Sequence, residues 1–232
     1  ENRTVAVKLL DLFCGAGGAG VGYSRAGFEV VGVDINPQPD YPFRFVQASW
    51  EGAADPDGWD PWDFDAIHAS PPCQGYTNMS NRWRGNGGKA DQHFKLIGEV
   101  RRRLTDIGLP FVIENVVGAR AHMRDAIVLS GGMFGLRVDR PRLFESNVLL
   151  LQPDHVKASD PLGVYGEKAD GRRLWTRTDG SELRAPKGVA EAQDAMGMPW
   201  VSDFRGIAEA IPPAYTEFIG RQLAAHLQGA VA

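Results

Sequence analysis

Short apolar runs, separated by glycine turns and by longer stretches of helical periodicity, occupy the first 150 residues of the chain. Residues 5–10 predict a buried strand, residues 15–18 a tight glycine turn, and the residues that follow, up to Gly27, a helix. Residues 28–34 predict a second strand, which ends in Asp34. Five more strands are expected, at residues 43–47, 66–69, 111–114, 126–130 and 143–150.

Two further helices are predicted because apolar residues recur every three or four positions. The apolar face of segment 91–107 comprises Phe94, Ile97, Val100 and Leu104. The apolar face of segment 214–227 comprises Phe218, Ile219, Leu223 and Leu227. Strands that alternate with helices favour a Rossmann-like, doubly wound α/β sheet whose strands are mostly parallel.

The pattern changes after Leu151, where Pro, Gly and charged residues follow one another without a clear period until about residue 190. A chain of 232 residues with 43% apolar content can bury one good core and a small additional lobe. We therefore predict a main domain over residues 1–150, a small irregular lobe over 151–199, and a segment over 200–232 that returns to the main domain.

Net charge, cysteine content and the length of apolar runs exclude several classes of protein. The net charge of -4 argues against nonspecific coating of nucleic acid but allows a local basic groove. Cys14 and Cys73 are the two cysteines, which gives no disulfide framework. No apolar run reaches the roughly 18 residues that span a bilayer, and the first residues lack signal-peptide features. We expect a cytoplasmic monomer without a membrane partner or a metal.

A glycine loop between the first strand and the first helix predicts a cofactor site. Asp34 follows this loop by about twenty residues, the spacing of a carboxylate that accepts hydrogen bonds from ribose hydroxyls. The loop lacks the three spaced glycines of a dinucleotide fingerprint, so a ligand without phosphates fits better. A tight turn without any ligand is the alternative interpretation.

Ser70-Pro71-Pro72-Cys73-Gln74 predicts a nucleophile, because it directly follows the strand at residues 66–69. Open α/β sheets bind substrates beyond the carboxyl ends of their strands. The two prolines restrict the backbone before the thiol. A cysteine that is only a small core residue is the alternative.

The segment from Asp11 to Gly18 resembles the first motif of the cytosine-C5 DNA methyltransferases. Four other segments resemble later motifs of that family, in the family's own order; they are residues 70–75, 114–116, 140–144 and 208–213. The resemblance implies the class I methyltransferase fold, S-adenosyl-L-methionine as cofactor and double-stranded DNA as partner. A compact member of this kind would suit a phage or prophage in a bacterial cell, with or without a restriction partner.

The predicted catalytic residues are Cys73, Glu114, Arg140 and Arg142. A thiolate that adds to C6 of cytosine activates C5, and a partly dehydrated carboxyl group can share a proton with N3. By resemblance Arg142 contacts the base and Arg140 supports it. The alternative for Glu114 is a simple ion pair with one of these arginines.

Cofactor and DNA contacts are assigned from loop positions and from the resemblance. The predicted cofactor-binding residues are Asp11, Phe13, Cys14, Gly15, Gly17, Gly18, Asp34, Ile35, Ser49, Pro71, Glu209 and Ala210. The predicted DNA-binding residues are Gln74, Ser80, Arg82, Trp83, Arg84, Arg172, Arg173 and Arg177. Three positions depart from the pattern of the resembled family, since Glu209 replaces an asparagine, Ala208 a glycine and Ser49 an acid. For the basic residues, a solvated surface is the alternative.

The sequence leaves the substrate open between three classes. The leading hypothesis is methylation of a flipped cytosine in duplex DNA at a short site of two to four base pairs, because the predicted reading lobe is small. A second is cytosine-C5 modification of tRNA, as one branch of the resembled family performs, or of a free pyrimidine nucleotide. A third is a nucleic-acid-binding protein without turnover.

Overall fold

The computed structural model describes residues 6–52, 59–76, 95–176, 180 and 182–229. Its strands are β1 Lys8–Leu12, β2 Glu29–Asp34, β3 Arg44–Gln47, β4 Ala66–Ala69, β5 Phe111–Val116, β6 Ile127–Leu129, β7 Arg142–Ser146, β8 Arg173–Thr176 and β9 Glu182–Arg184. Its α-helices are α1 Gly18–Arg25, α2 Ile97–Ile107, α3 Val189–Met196, α4 Phe204–Glu209 and α5 Pro213–Gly229. No helix in these ranges is long and apolar enough to cross a membrane.

Seven strands form one sheet in the order β3-β2-β1-β4-β5-β7-β6. The first five of these are mutually parallel, and β7 runs antiparallel to both of its neighbours. The prediction of a doubly wound, mostly parallel α/β sheet is confirmed. Because β7 is reversed, its first residue, Arg142, pairs with Val116 at the carboxyl end of β5.

Helices cover both faces of the sheet, as the alternation of side chains along a strand requires. On β1, Leu9 packs with Tyr23 of α1 and with residues of α5, whereas Leu10 packs against the α2 residues Val100 and Leu104. Both leucines are fully buried. This sheet with two covered faces presents the carboxyl ends of β1, β2, β4 and β5 at one edge, where ligands bind in such folds.

The end of β7 differs from the sequence prediction, because side-chain hydrogen bonds replace the backbone hydrogen bonds between strands there. We predicted that the last strand of the large sheet continues to residue 150, but β7 ends at Ser146. The Ser146 hydroxyl donates to the Phe111 carbonyl oxygen at 2.6 Å, and the Asn147 side chain accepts from Phe111 N at 2.8 Å and donates to Leu109 O at 3.0 Å. These side-chain bonds take the positions of further backbone pairing.

The segment after residue 150 contains more regular structure than its pattern predicts. Strands β8 and β9 form an antiparallel pair, and α3 follows them. A separate hydrophobic cluster joins this segment to the glycine turn after β1; it consists of Ala16, Val138, Leu162, Val164, Ala192, Ala195, Met196, Met198, Val201, Phe204 and Ile207. Residues from the ranges 151–199 and 200–232 therefore share one core.

Candidate active site

The glycine turn after β1 approaches the returning segment so closely that side chains are excluded. Gly17 adopts a φ of 86°, in the left-handed region that favours glycine. A Cβ atom at Gly18 would lie 2.2 Å from the Ile211 carbonyl oxygen. The Trp200 indole N–H donates to the Ala16 carbonyl oxygen at 2.9 Å, which fixes the loop from the other side. The turn is thus built for close backbone packing beside an open cavity.

Asp34 is held in a defined orientation at the end of β2. One of its carboxylate oxygens accepts from Gly15 N at 3.2 Å, and the other accepts from Asn36 N at 2.9 Å. Each oxygen retains capacity for another hydrogen bond. Beside it Ile35 is 70% exposed, an unusual degree for a large apolar side chain. A fixed carboxylate next to an exposed apolar surface suits a ribose with an attached base and disfavours a phosphate.

Phe13 forms part of the same wall in an uncommon backbone conformation. Its φ is 58°, which is rare for a residue other than glycine and is frequent at functional sites. Its ring stacks on Trp50, with 5.8 Å between the ring centroids. The stacked pair places an aromatic surface between β1 and the segment after β3.

One cavity of about 370 Å³ joins the glycine loop to the thiol. Its volume lies within the range of small-molecule sites. Predicted site residues line it from every part of the chain, namely Phe13, Cys14, Gly15, Gly18, Asp34, Ile35, Pro71, Cys73, Gln74, Glu114, Arg140, Arg142, Glu209 and Ala210. The structure therefore brings together the predicted nucleophile, the predicted acid, both arginines and most of the predicted cofactor residues.

Glu114 and Arg142 form a close ion pair in this cavity. Arg142 Nε lies 3.0 Å from a Glu114 carboxylate oxygen, and the side chains are 12% and 8% exposed. The neighbouring Asn115 amide donates to the Pro71 carbonyl oxygen at 2.9 Å and so ties β5 to the loop that carries Cys73. The pairing of β5 with β7 explains how the carboxylate and the guanidinium meet.

Arg140 differs from Arg142 because all three of its guanidinium nitrogens donate to backbone carbonyl oxygens. Its Nε donates to the Ala210 carbonyl oxygen at 2.9 Å, its Nη1 to that of Val164 at 2.7 Å, and its Nη2 to that of Ala208. The Tyr215 hydroxyl donates to the Arg140 carbonyl oxygen at 3.0 Å. Arg140 therefore fixes the returning segment against the cavity and contributes a buried positive charge.

The charges in the cavity act on the thiol in opposite directions. Burial raises the pKa of Cys73, the nearby Glu114 carboxylate raises it further, and Arg142 and Arg140 each lower it by a smaller amount. Burial also raises the pKa of Glu114, against the lowering effects of Arg142, of a hydrogen bond from Ser70 and of Arg140. Both arginines thus act to lower the thiol pKa, but in this state burial and Glu114 prevail. Protonation of Glu114 would remove the opposing charge.

Several predicted site residues lie outside the cavity. Asp11 is fully buried beneath it and accepts a hydrogen bond from the Tyr41 hydroxyl at 3.3 Å. Ser49 lies in the segment after β3, where its hydroxyl is the acceptor for Glu51 N at 3.3 Å. Gly17 caps α1 without lining the cavity.

The predicted DNA-binding residues are only partly described. Gln74 lines the cavity. Arg172 and Arg173 lie at the start of β8 and form surface ion pairs, Arg172 with Asp170 at 3.7 Å and Arg173 with Glu182 at 2.9 Å. The remaining members lie outside the described residues; they are Ser80, Arg82, Trp83, Arg84 and Arg177.

The sequence did not predict the contribution of Ser70 and His68, which are hydrogen-bonded to each other next to Glu114. Ser70 lines the cavity directly, and its hydroxyl bonds both to Glu114 and to His68, whose Nε2 lies 2.9 Å from the serine oxygen. His68 is fully buried within β4. A signal was present, because a histidine in the otherwise apolar run from Ala66 to Ala69 requires buried hydrogen-bond partners.

Solved methyltransferase structures share this fold. An E. coli protein assigned as a DNA modification methyltransferase encoded within a prophage matches with a TM-score of 0.59 and 17% identity, over 96% of this chain and 99% of that one. The S. pombe Dnmt2 methyltransferase matches with a TM-score of 0.55 and 14% identity, over 97% of this chain and 99% of that one. The fold is that of the class I methyltransferases.

Sequence comparison is more specific. The model of the C-5 cytosine-specific DNA methylases matches residues 7–129, more than half of the chain, and the chain belongs to this family. It is similar to the type II methyltransferase M.AgeI of Thalassovita gelatinovora, with 27% identity over 172 residues, which are 60% of this chain. The chain spans 38% of the length of that relative.

Proposed function

We propose that this protein methylates C5 of cytosine in double-stranded DNA with S-adenosyl-L-methionine as methyl donor. The observation that carries the proposal is the single cavity, which Cys73, Glu114 and Arg142 line together with the glycine loop and Asp34. Membership in the C-5 cytosine-specific DNA methylase family supports the DNA substrate. The similarity to a type II methyltransferase supports the same class of substrate.

The cofactor fits the donor set of the cavity. Asp34 would accept from the ribose hydroxyls, Ile35 and Phe13 would contact the base, and the loop from Gly15 to Gly18 would hold the amino-acid end. When bound, S-adenosyl-L-methionine supplies an electrophilic methyl group. The absence of a phosphate-binding glycine pattern agrees with a nucleoside cofactor that carries no phosphate.

Cys73 acts as the nucleophile. Its sulfur forms a bond to C6 of the cytosine, and the electron pair of the C5–C6 double bond moves toward C5, which becomes nucleophilic. After C5 has been methylated, loss of the C5 proton restores the double bond as the sulfur–carbon bond breaks. The prolines before Cys73 limit the backbone freedom of the attacking group.

Glu114 and Arg142 control the charge that this addition creates. A proton that Glu114 shares with N3 disperses the negative charge on the ring. The same protonation removes the carboxylate that raises the pKa of Cys73 and leaves both arginines beside the thiolate. Acid and nucleophile therefore assist each other. Arg142, released from its ion pair by this proton, donates to the base O2.

A cytosine inside a stacked duplex cannot reach these residues, so the base is flipped into the cavity. We propose that the segment 77–89, with Arg82 and Arg84 as phosphate contacts and Trp83 as a wedge, stabilises the flipped state. The lobe over 151–199 would read the site with Arg172, Arg173 and Arg177. The main domain over 1–150 and the segment 200–232 would hold the cofactor.

Labelled S-adenosyl-L-methionine tests the proposal when it is incubated with the protein and either duplex DNA, tRNA or dCMP. We expect label in DNA, none with Cys73→Ala, and C5-methylcytosine at a short site when DNA from expressing cells is sequenced after bisulfite treatment. The Cys73→Ala variant should still bind the cofactor. Label in tRNA with inert DNA would overturn the DNA assignment, and cofactor binding without transfer to any substrate would favour a binding protein.

A further inference from the structure

A continuous chain of hydrogen bonds runs from the core of the protein to Glu114. The Tyr23 hydroxyl of α1 lies 3.0 Å from His68 Nδ1, and His68 Nε2 lies 2.9 Å from Ser70 Oγ. The Ser70 hydroxyl in turn bonds to the Glu114 side chain, which pairs with Arg142. Tyr23 and His68 are fully buried and do not line the cavity. The proposed reaction does not use either residue.

His68 is neutral in this position, so its two ring nitrogens have opposite roles. Burial lowers the pKa of His68 to about 3. A neutral imidazole donates from one nitrogen and accepts at the other, and its partners decide which nitrogen carries the proton. The direction of the whole chain therefore depends on the tautomer of His68.

The phenol of Tyr23 selects that tautomer. Its proton needs an acceptor in the core, and His68 Nδ1 is the partner of this hydroxyl among the described residues. When Nδ1 accepts, the proton of His68 lies on Nε2 and is donated to Ser70 Oγ. The serine proton is then directed to Glu114. The opposite tautomer would turn the serine proton toward His68 and leave the phenol proton without this acceptor.

We propose that Tyr23 and His68 are positioning residues, which orient the Ser70 hydroxyl toward the Glu114 carboxylate and thereby control when Glu114 takes up a proton. The chain delivers a neutral donor to the carboxylate and stabilises its ionised form. Its catalytic consequence rests on the proposed function, but its effect on Glu114 does not.

Other charged and titratable groups around Glu114 also influence its pKa. Arg142 and Arg140, both near the start of β7, stabilise the carboxylate. The Cys73 thiol, on the loop after β4, and Tyr215, on α5, also interact electrostatically with Glu114. Loss of the serine donor leaves all four in place, so a change in the titration of Glu114 reports on the chain.

Infrared titration of the ligand-free protein measures this directly, with Glu114→Gln to identify the carboxyl band. Ser70→Ala removes a hydrogen bond to a charged acceptor, so the pKa of Glu114 should rise by about one unit. Tyr23→Phe, two bonds away, should raise it by less, because the two tautomers of His68 become closer in energy. Ser70→Thr retains the hydroxyl and should retain the wild-type pKa.

Thr216→Val is the matched control for the loss of a buried hydroxyl. Thr216 donates to the Ala19 carbonyl oxygen at 2.8 Å, in the same core but outside the chain. This variant should lower the free energy of unfolding and leave the titration of Glu114 unchanged. A Glu114 pKa that is unchanged in Tyr23→Phe would overturn the proposed role of Tyr23 and His68, and one unchanged in Ser70→Ala would overturn the chain as a whole.

Activity provides a separate readout. Since Glu114 acts in its protonated form, the loss of kcat at high pH should move upward with the pKa in Ser70→Ala and Tyr23→Phe. Shifts in the infrared titration of a protein that proves inactive on DNA would support the positioning role and reject the proposed function. If the protein is active on DNA but Glu114 titrates in both variants as it does in the wild type, the proposed function stands and the positioning role is rejected.

Discussion

Asp11 predicts an unusual dependence of stability on pH. It is fully buried in β1; one carboxylate oxygen accepts from Tyr41, and the other has no hydrogen-bond partner among the described residues. Burial raises the pKa of Asp11 from 3.8 to about 7, and the charge of Asp34 adds to this, while hydrogen bonds from the Tyr41 hydroxyl and the Gly20 backbone oppose it. The folded protein therefore keeps a proton that the unfolded chain loses.

The sign and size of the effect follow from linkage. Below about pH 4 both states bind the proton, and the stabilisation is fully present. Between about pH 4 and 7 only the folded state binds it, so the free energy of unfolding falls by about 1.4 kcal/mol per pH unit. Between the ordinary pKa of 3.8 and the raised pKa of about 7, the free energy of unfolding therefore falls by about 4 kcal/mol in total.

Urea unfolding of the wild type and Asp11→Asn, measured at several pH values from about 4 to 8, isolates this contribution because both proteins share all other titratable groups. The stability difference between them should change across this window and level off above it. Tyr41→Phe should extend the window to higher pH, because it removes a hydrogen bond that lowers the pKa of Asp11. Parallel pH profiles for the wild type and Asp11→Asn would refute the reasoning.

Three further predictions concern the cavity and its walls. Alkylation of Cys73 by iodoacetamide at neutral pH should be slow and should accelerate in Glu114→Gln, because that substitution removes a charge that raises the thiol pKa; an unchanged rate would contradict it. Gly18→Ala should lower the free energy of unfolding in urea by about 1–3 kcal/mol, because its Cβ would lie 2.2 Å from a carbonyl oxygen. The control Gly98→Ala, which has open space in α2, should raise it by about 0.5–1 kcal/mol. Glu209→Asn should change the calorimetric Kd for S-adenosyl-L-methionine by less than about tenfold, because the carboxylate is 66% exposed and already paired with an arginine at 2.8 Å; a larger change would assign it a direct cofactor contact.

The sequence predicted the sheet well because local periodicity and burial coincide in the parallel strands. The apolar face of α2 was predicted correctly at Ile97, Val100 and Leu104, which are all buried. The antiparallel pair of β8 and β9 was not predicted, since strands of four and three residues are too short to show a clear period. The tie between Arg140 and the returning segment depends on residues about seventy positions apart, which no local pattern encodes.

For the candidate site, too, local features of the sequence were predictable and contacts between distant residues were not. Residue type, loop position and the family resemblance predicted Cys73, Glu114 and Arg142 as site residues, and the structure places all three around one cavity. The sequence indicated that His68 needs buried hydrogen-bond partners, but it did not identify Tyr23 as one, since that contact requires the packing of α1 against β4. The net effect on the thiol pKa also depended on burial and on Glu114, and both follow from the folded structure.

The close packing of α1 against α5 has a consequence for how the protein is made. A Cβ atom at Gly22 would lie 2.0 Å from the Thr216 hydroxyl oxygen, so the two helices meet almost backbone to backbone. During translation, α1 emerges nearly two hundred residues before its neighbour. At about 5–20 residues per second, the ribosome leaves this face of the sheet uncovered for roughly ten seconds or more. We expect nascent chains that end before α5 to be the form of this protein that depends most on chaperones.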